Sequence, residues 1–201
     1  MTGPYRGKRA VDLCLLALCL VPATIAGVAC AIAVRLTSPG PIFFRQTRAG
    51  MGGREFEILK FRTMIDAPDN PILPADDRIT RAGRWLRRLS LDEIPQLVNV
   101  ARGEMSIVGP RPTLPYQVER YTERQRRRLA VRPGITGLAQ VTGRNELPWA
   151  ARIEIDIEYV ERQSAALDLR ILVATVAVVL RGSGVEGHPA DDDISAPSPG
   201  D

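Results

Sequence analysis

The sequence predicts an α/β protein, mostly α-helical with one small β-hairpin. A membrane-embedded re-entrant N-terminal helix and amphipathic interfacial helices are expected around a compact cytoplasmic domain. Three observations predict this. Residues 11–34 form an apolar run with a single charge, Asp12, at its edge. Two β-prone runs, Ile42-Phe43-Phe44 and Phe56-Glu57-Ile58-Leu59-Lys60-Phe61, are separated by Gly50, Gly52 and Gly53. Downstream, arginines recur at helical spacing between apolar residues.

The apolar run would cover roughly 36 Å as a straight helix, enough to span a bilayer core. Pro22 near its middle cannot donate to the Leu18 carbonyl and bends the helix. Both flanks are basic, with Arg6, Lys8 and Arg9 before and Arg35, Arg45 and Arg48 after. Cytoplasmic flanks carry the Lys/Arg excess, so both ends are expected on the cytoplasmic side of the membrane. A helix broken at Pro22 that enters one leaflet and returns satisfies both facts; a single span and a buried core helix are the alternatives. Arg35 follows without a small-residue cleavage site, which argues against a signal peptide. The anchor is assigned to residues 1–37.

Ser38-Pro39-Gly40-Pro41 then ends the helix as a rigid turn. The hairpin follows, and residues 66–77, with three prolines and four aspartates, read as a loop. From Arg78, cations at 78, 81, 84, 87 and 88 alternate with Ile79, Ala82, Trp85, Leu86 and Leu89. That pattern predicts an amphipathic helix suited either to solvent or to anionic head groups. Residues 119–129 predict a second, arginine-rich helix. Residues 171–180 predict a short apolar helix, in the core or at the interface. The domain is placed at 38–185, and residues 186–201, acidic and proline-bearing, are expected to be a disordered tail.

Composition excludes several chemistries. Of 27 basic residues only Lys8 and Lys60 are lysines, so the other 25 are arginines. The one histidine, His188, is in the tail, and Cys14, Cys19 and Cys30 all lie in the apolar run. A Ser-His-Asp triad, a histidine proton shuttle and a His/Cys zinc site are therefore excluded, as is a Walker-type phosphate loop. No disulfide framework is expected. Residues 1–185 hold 27 basic and 18 acidic residues, a net charge of +9 that favours anionic partners. Ten scattered aromatics make a poor stacking platform for nucleic acid.

Three stretches concentrate the remaining chemistry. In Ser90-Leu91-Asp92-Glu93-Ile94-Pro95 the adjacent carboxylates read either as helix-cap residues or as a site at a helix N-terminus, with Asp92 as the cap. In Gly109-Pro110-Arg111-Pro112 two prolines restrict the backbone around one arginine. Arg132-Pro133-Gly134-Ile135-Thr136-Gly137, running on to Gly143-Arg144-Asn145, again presents arginine from glycine-rich turns. Together these suit phosphoryl transfer from a metal-bound diphosphate.

In these stretches, and in Lys8-Arg9-x-x-Asp12, Ser38-Pro39-Gly40-Pro41-Ile42-Phe43-Phe44-Arg45-Gln46, Lys60-Phe61-Arg62-Thr63-Met64, Asp77-Arg78-Ile79-Thr80 and Asp156-x-x-Tyr159, the chain resembles the bacterial sugar transferase family. These are the small monotopic phosphoglycosyl transferases that begin glycoconjugate assembly on a polyprenyl phosphate. The family's helix break is usually Ser-Pro, whereas here Val21 precedes Pro22. The resemblance implies a ping-pong reaction in which Asp92 attacks the β-phosphorus of a UDP-sugar and passes the phosphosugar to the lipid. It implies Mg²⁺ at Asp92 and Glu93, with Glu93 its ligand or the base of the second step. Arg111 and Arg144 would hold phosphate, while Lys60, Arg62, Gln140 and Asp156 lie in the family's site motifs. Expected partners are UDP-sugar, polyprenyl phosphate and one leaflet of the bacterial inner membrane, with no nucleic acid; a homodimer stays open.

Overall fold

The computed structural model describes residues 3–65, 78–143 and 147–181. The expected loop at 66–77, Arg144 and the acidic tail lie outside the described residues. The fold is mostly helical, as expected, with two small two-stranded sheets.

Helix α1 (Lys8–Thr37) is continuous through Pro22, so the proline does not divide it into two helices. Its 30 residues cover about 45 Å. Only its ends are buried, Lys8 and Asp12 at one and Cys30 and Val34 at the other. Residues 17–22 are all exposed. Six consecutive exposed residues leave no side of a helix covered, so the middle of α1 stands clear of the body that holds both ends. Pro22 leaves the Leu18 carbonyl without its helical partner. Two residues on, the Thr24 hydroxyl donates to the Leu20 carbonyl at 2.7 Å, a back-bonding that bends helices.

The N-terminal end of α1 is fastened by buried charge. Lys8 Nζ lies 2.7 Å from Asp168 Oδ2 and 3.4 Å from Asp12 Oδ1. Asp168 also accepts from the Tyr5 and Tyr159 hydroxyls at 2.9 and 2.8 Å. Asp12 accepts from Ser106 Oγ at 2.8 Å and from the Ile107 amide at 3.0 Å. The other end packs by contact: Cys30 and Val34 meet Phe61 and Leu86, with Ile42, Leu91 and Ile94 against them.

Strands β1 (Phe43–Ala49) and β2 (Glu55–Phe61) pair antiparallel with Phe43 opposite Phe61 and Ala49 opposite Glu55. The turn between them uses Gly52 and Gly53 at φ 68° and 78°, where a side chain would strain the backbone. Cross-strand partners share a face, so Gln46 and Arg48 lie on the side that carries Ile58 and Lys60. Ile58 is buried against Val100 and Met105.

Helix α2 (Arg81–Arg88) begins three residues later than the arginine spacing suggests. Thr80 is its cap, accepting from the Gly83 amide at 2.9 Å. Helix α3 (Gln96–Arg102) begins after Pro95, not after Asp92, because Leu91–Glu93 instead form a tight 3₁₀ turn. Strands β3 (Ser106–Val108) and β4 (Gly134–Thr136) form a parallel pair that the sequence pattern did not indicate. Here the turns at 109 and 134 meet backbone to backbone: a Cβ on Gly134 would lie 2.1 Å from the Gly109 nitrogen.

The single arginine-rich helix expected over 119–129 is replaced by α4 (Pro115–Glu119), α5 (Glu123–Arg126) and a 3₁₀ turn at Arg127–Ala130. Thr122 interrupts it by adopting an extended conformation and forming a capping box with Gln125. After α6 (Leu138–Thr142), helix α7 (Trp149–Arg162) lies between two core clusters. Ile153 and Ile157 pack with Val118 and Tyr121, while Tyr159 and Val160 pack with Val108, Val131 and Ile171. Helix α8 (Ala165–Arg181) extends the short apolar run by a turn and a half at its N-terminal end.

Lys8 is the cation between two buried carboxylates. Lys8→Met should therefore cost about 3–5 kcal/mol of stability, read as a lowered denaturation midpoint in detergent, with Lys8→Arg retaining part of it.

Candidate active site

The centre of the site is the 3₁₀ turn Leu91–Glu93. Ser90, immediately before it, adopts φ 53° and ψ 22°, a left-handed conformation that costs a non-glycine residue about 1 kcal/mol. Leu91 and Ile94, three apart, share one face of the turn and pack on the C-terminal end of α1. The two carboxylates between them therefore face away from that packing.

Glu93 is gripped from two directions. Lys60 on β2 donates to its Oε1 at 2.8 Å, and Arg111 donates to the same oxygen at 3.2 Å. Burial pushes the Glu93 carboxyl up, but Lys60 and Arg111 outweigh it and hold it at about 2. Asp92 is different: among the described residues it makes no hydrogen bond or ion pair. Burial raises its pKa, Glu93 adds to that, and Lys60, Arg111 and Arg87 oppose it without cancelling it. Two adjacent carboxylates thus have opposite environments, the pattern by which one fold assigns two roles.

Arg111 is positioned through its backbone. Its carbonyl accepts from Arg128 Nη2 at 2.9 Å, and Arg128 Nη1 donates to the Tyr121 hydroxyl at 2.6 Å. Arg128 is buried and ion-paired with Asp156 on α7. Burial raises the Asp156 pKa while Arg128 pulls it down. The Trp149 ring is within reach of both Arg128 and Arg152, their guanidinium carbons 5.8 and 5.6 Å from its centroid.

The structure thus brings Asp92, Glu93, Lys60 and Arg111 together and attaches Asp156 to them through Arg128. Gln140, on α6, donates to the Ile135 carbonyl at 2.9 Å and so braces the turn after β4. Arg62 is directed to the anchor: its Nη2 donates to the Ser38 carbonyl at 2.9 Å and to Ser38 Oγ at 2.7 Å. Arg128 and Tyr121 were not singled out from the sequence. The buried acid Asp156 is the one signal that called for a cationic partner.

The oxygen donors fit a magnesium ion in part. Glu93 Oε1 is occupied by two cations, leaving Oε2 and the Asp92 carboxylate. Magnesium is commonly held by one or two carboxylates with substrate phosphates and water completing its shell, so this pair suffices only when a phosphate is bound.

The two shifts predict opposite pH behaviour. Glu93 contributes stability that is fully present above about pH 4.3 and is lost as pH falls towards 2. Asp92, whose folded pKa is raised, lowers stability as pH rises past its unfolded value. At neutral pH, Glu93→Gln should lower the unfolding free energy by about 1–3 kcal/mol, while Asp92→Asn should leave it unchanged or raise it. Denaturant titration of both variants checks this.

The family model for the bacterial sugar transferase matches residues 4–182. The Bacillus subtilis protein EpsL, named an uncharacterized sugar transferase, is 48% identical over 155 residues, covering 76% of this chain and 77% of EpsL. The UDP-glucose:undecaprenyl-phosphate glucose-1-phosphate transferase of Caulobacter vibrioides is 47% identical over 163 residues, covering 75% of this chain and 61% of that protein. The Escherichia coli protein of the same name is 44% identical over 183 residues, covering 84% of this chain but 39% of its own length. By these matches the chain belongs to the bacterial sugar transferase family and is an enzyme of that class.

Proposed function

We propose that the enzyme transfers a phosphosugar from a UDP-sugar to polyprenyl phosphate and releases UMP, the first membrane step of an exopolysaccharide or glycoconjugate pathway. The observation that carries this reading is the half-buried Asp92 carboxylate, without a partner among the described residues, beside a Glu93 held ionised by Lys60 and Arg111. A carboxylate free of partners is a competent nucleophile, and an acyl phosphate is labile enough to pass its group on.

In the first step an Asp92 oxygen forms a bond to the β-phosphorus. The bond from that phosphorus to the bridging oxygen breaks, and UMP leaves with both electrons. In the second step a polyprenyl phosphate oxygen attacks the same phosphorus and the Asp92 carboxylate departs, giving the polyprenyl diphosphosugar. Arg111 and Lys60 offset the negative charge that otherwise repels Asp92 from the diphosphate. Asp92 and Glu93 Oε2 would hold Mg²⁺ with the substrate's phosphates, and the ion would neutralise phosphoryl charge. Glucose is the first sugar to test, since the Caulobacter and E. coli relatives are named for UDP-glucose.

The anchor supports a position on the cytoplasmic face of the membrane. One body holds both ends of α1, so both ends lie on the same side of any bilayer that the exposed middle enters. Trp85 on α2, Leu89 at its C-cap, and Leu169, Val173, Val176 and Leu180 on α8 are exposed apolar side chains beside arginines, which suits helices lying at head-group depth.

With Mg²⁺, undecaprenyl phosphate and UDP-glucose or a panel of other UDP-sugars, purified enzyme should release UMP. Asp92→Asn should release none and retain no radiolabelled phosphosugar; labelling of that variant would remove Asp92 as the nucleophile. Thr2→Cys should react with impermeant thiol reagents only from the cytoplasmic side, and periplasmic access would exclude the re-entrant anchor.

A further inference from the structure

Arg48 has no part in the reactions above, yet it lies at the same turn as Arg111. From β1 its Nη1 donates to the Pro112 carbonyl at 3.5 Å, and the next residue, Ala49, donates its amide to the Thr113 carbonyl at 2.8 Å. The end of β1 is thereby stitched to the turn from which Arg111 projects. The other acceptor of Arg48 is neutral, Gln46 Oε1 at 2.6 Å, and its buried Nε–H has no partner.

No carboxylate pairs with Arg48 among the described residues. Burial and the facing Arg111 together lower its guanidinium to about 10. A half-buried guanidinium beside another, its Nε shut from water and its described acceptors neutral, is a costly arrangement that an anion would relieve. Among the described residues the carboxylates facing Lys60, Arg87, Arg111 and Arg48 are Asp92 and Glu93, with the Tyr116 hydroxyl also near Arg48, so positive charge is in excess there before substrate arrives.

We propose that Arg48 and Arg111 form a paired-guanidinium subsite for the phosphoryl oxygens of the substrates. Arg48 reaches it from the hairpin face that also carries Lys60. The subsite deepens the phosphosugar-transfer reading and rests on it for the identity of the ligand. Its chemistry is that of a phosphate or diphosphate, which the nucleotide donor and the lipid acceptor both carry.

The probe is inorganic pyrophosphate, titrated calorimetrically against the full chain in detergent with Mg²⁺. Arg48→Gln should weaken pyrophosphate binding at least tenfold, with a thermal midpoint equal to or above that of the parent, because a repelling cation has been removed. Arg48→Lys, which keeps the charge and loses the planar fork, should fall between the two. Unchanged binding in Arg48→Gln would overturn the proposal. So would lost binding with a lowered midpoint, which is the signature of a mere brace on the Pro112 turn. Steady-state kinetics then separate the sources: a KM raised for UDP-sugar alone assigns the donor diphosphate, and one raised for polyprenyl phosphate alone assigns the acceptor. Parent enzyme that binds pyrophosphate but turns over no UDP-sugar would sink the transferase reading and leave the subsite standing; parent enzyme that binds none would sink the subsite.

Discussion

The site depends on one carboxylate oxygen, Glu93 Oε1, which accepts from both Lys60 and Arg111. The two cations come from separate elements, the second strand of the hairpin and the Gly109–Pro112 turn. The negative charge between them offsets their mutual repulsion. The hairpin, the 3₁₀ turn and the proline-flanked arginine are thus locked in one arrangement by a shared acceptor. Because Glu93 is already satisfied, the adjacent Asp92 is left without a partner. A half-buried carboxylate with no hydrogen bond is unfavourable in the resting protein, and under the proposed reaction that cost would leave it free to attack phosphorus.

The anchor and the site are built from the same residues. Leu91 and Ile94, which bracket the two carboxylates, pack on the C-terminal end of α1, and Arg62 ties the Ser38 turn to the residue following β2. At the opposite end Lys8, Asp12 and Asp168 hold α1 to β3 and α8. A helix fixed at both ends by a rigid body presents its middle at a set height. The exposed segment and Asp92 are therefore held at a fixed separation, which under the proposed membrane position would set the height of Asp92 relative to the head groups.

Much of this was legible in the sequence, and the reasons for success and failure are physical. The apolar run and the hairpin follow from local periodicity and glycine placement, which need no tertiary information. Asp92, Glu93 and Arg111 stand out by residue type in short distinctive stretches and Lys60 through the family resemblance, and the structure brings the four together. Pairings were not legible. Lys8 meets Asp168 across nearly the whole chain, and the register of two buried carboxylates around one lysine leaves no local trace. The helix expected over 119–129 failed because Thr122 capped a new helix where the arginine spacing implied continuity. The start of α3 was misplaced because the left-handed Ser90, a conformation rarely assumed for serine, turned the chain before Asp92 could cap anything.

The arginine excess divides by environment. Arg124 and Arg127 pair with Glu154 and Glu161 at the surface, where each pair contributes about 0–1 kcal/mol. Arg128 is buried, charge-paired and bonded to a hydroxyl and a carbonyl, and serves as a fixed post between α7 and the Arg111 turn. Arg111 shares its carboxylate with a lysine, and Arg48 has none among the described residues. Moving from surface to site, the arginines become progressively less compensated by the protein itself. That gradient is what an anion-binding site requires, since a cation already neutralised by its own fold has little attraction left for a phosphate.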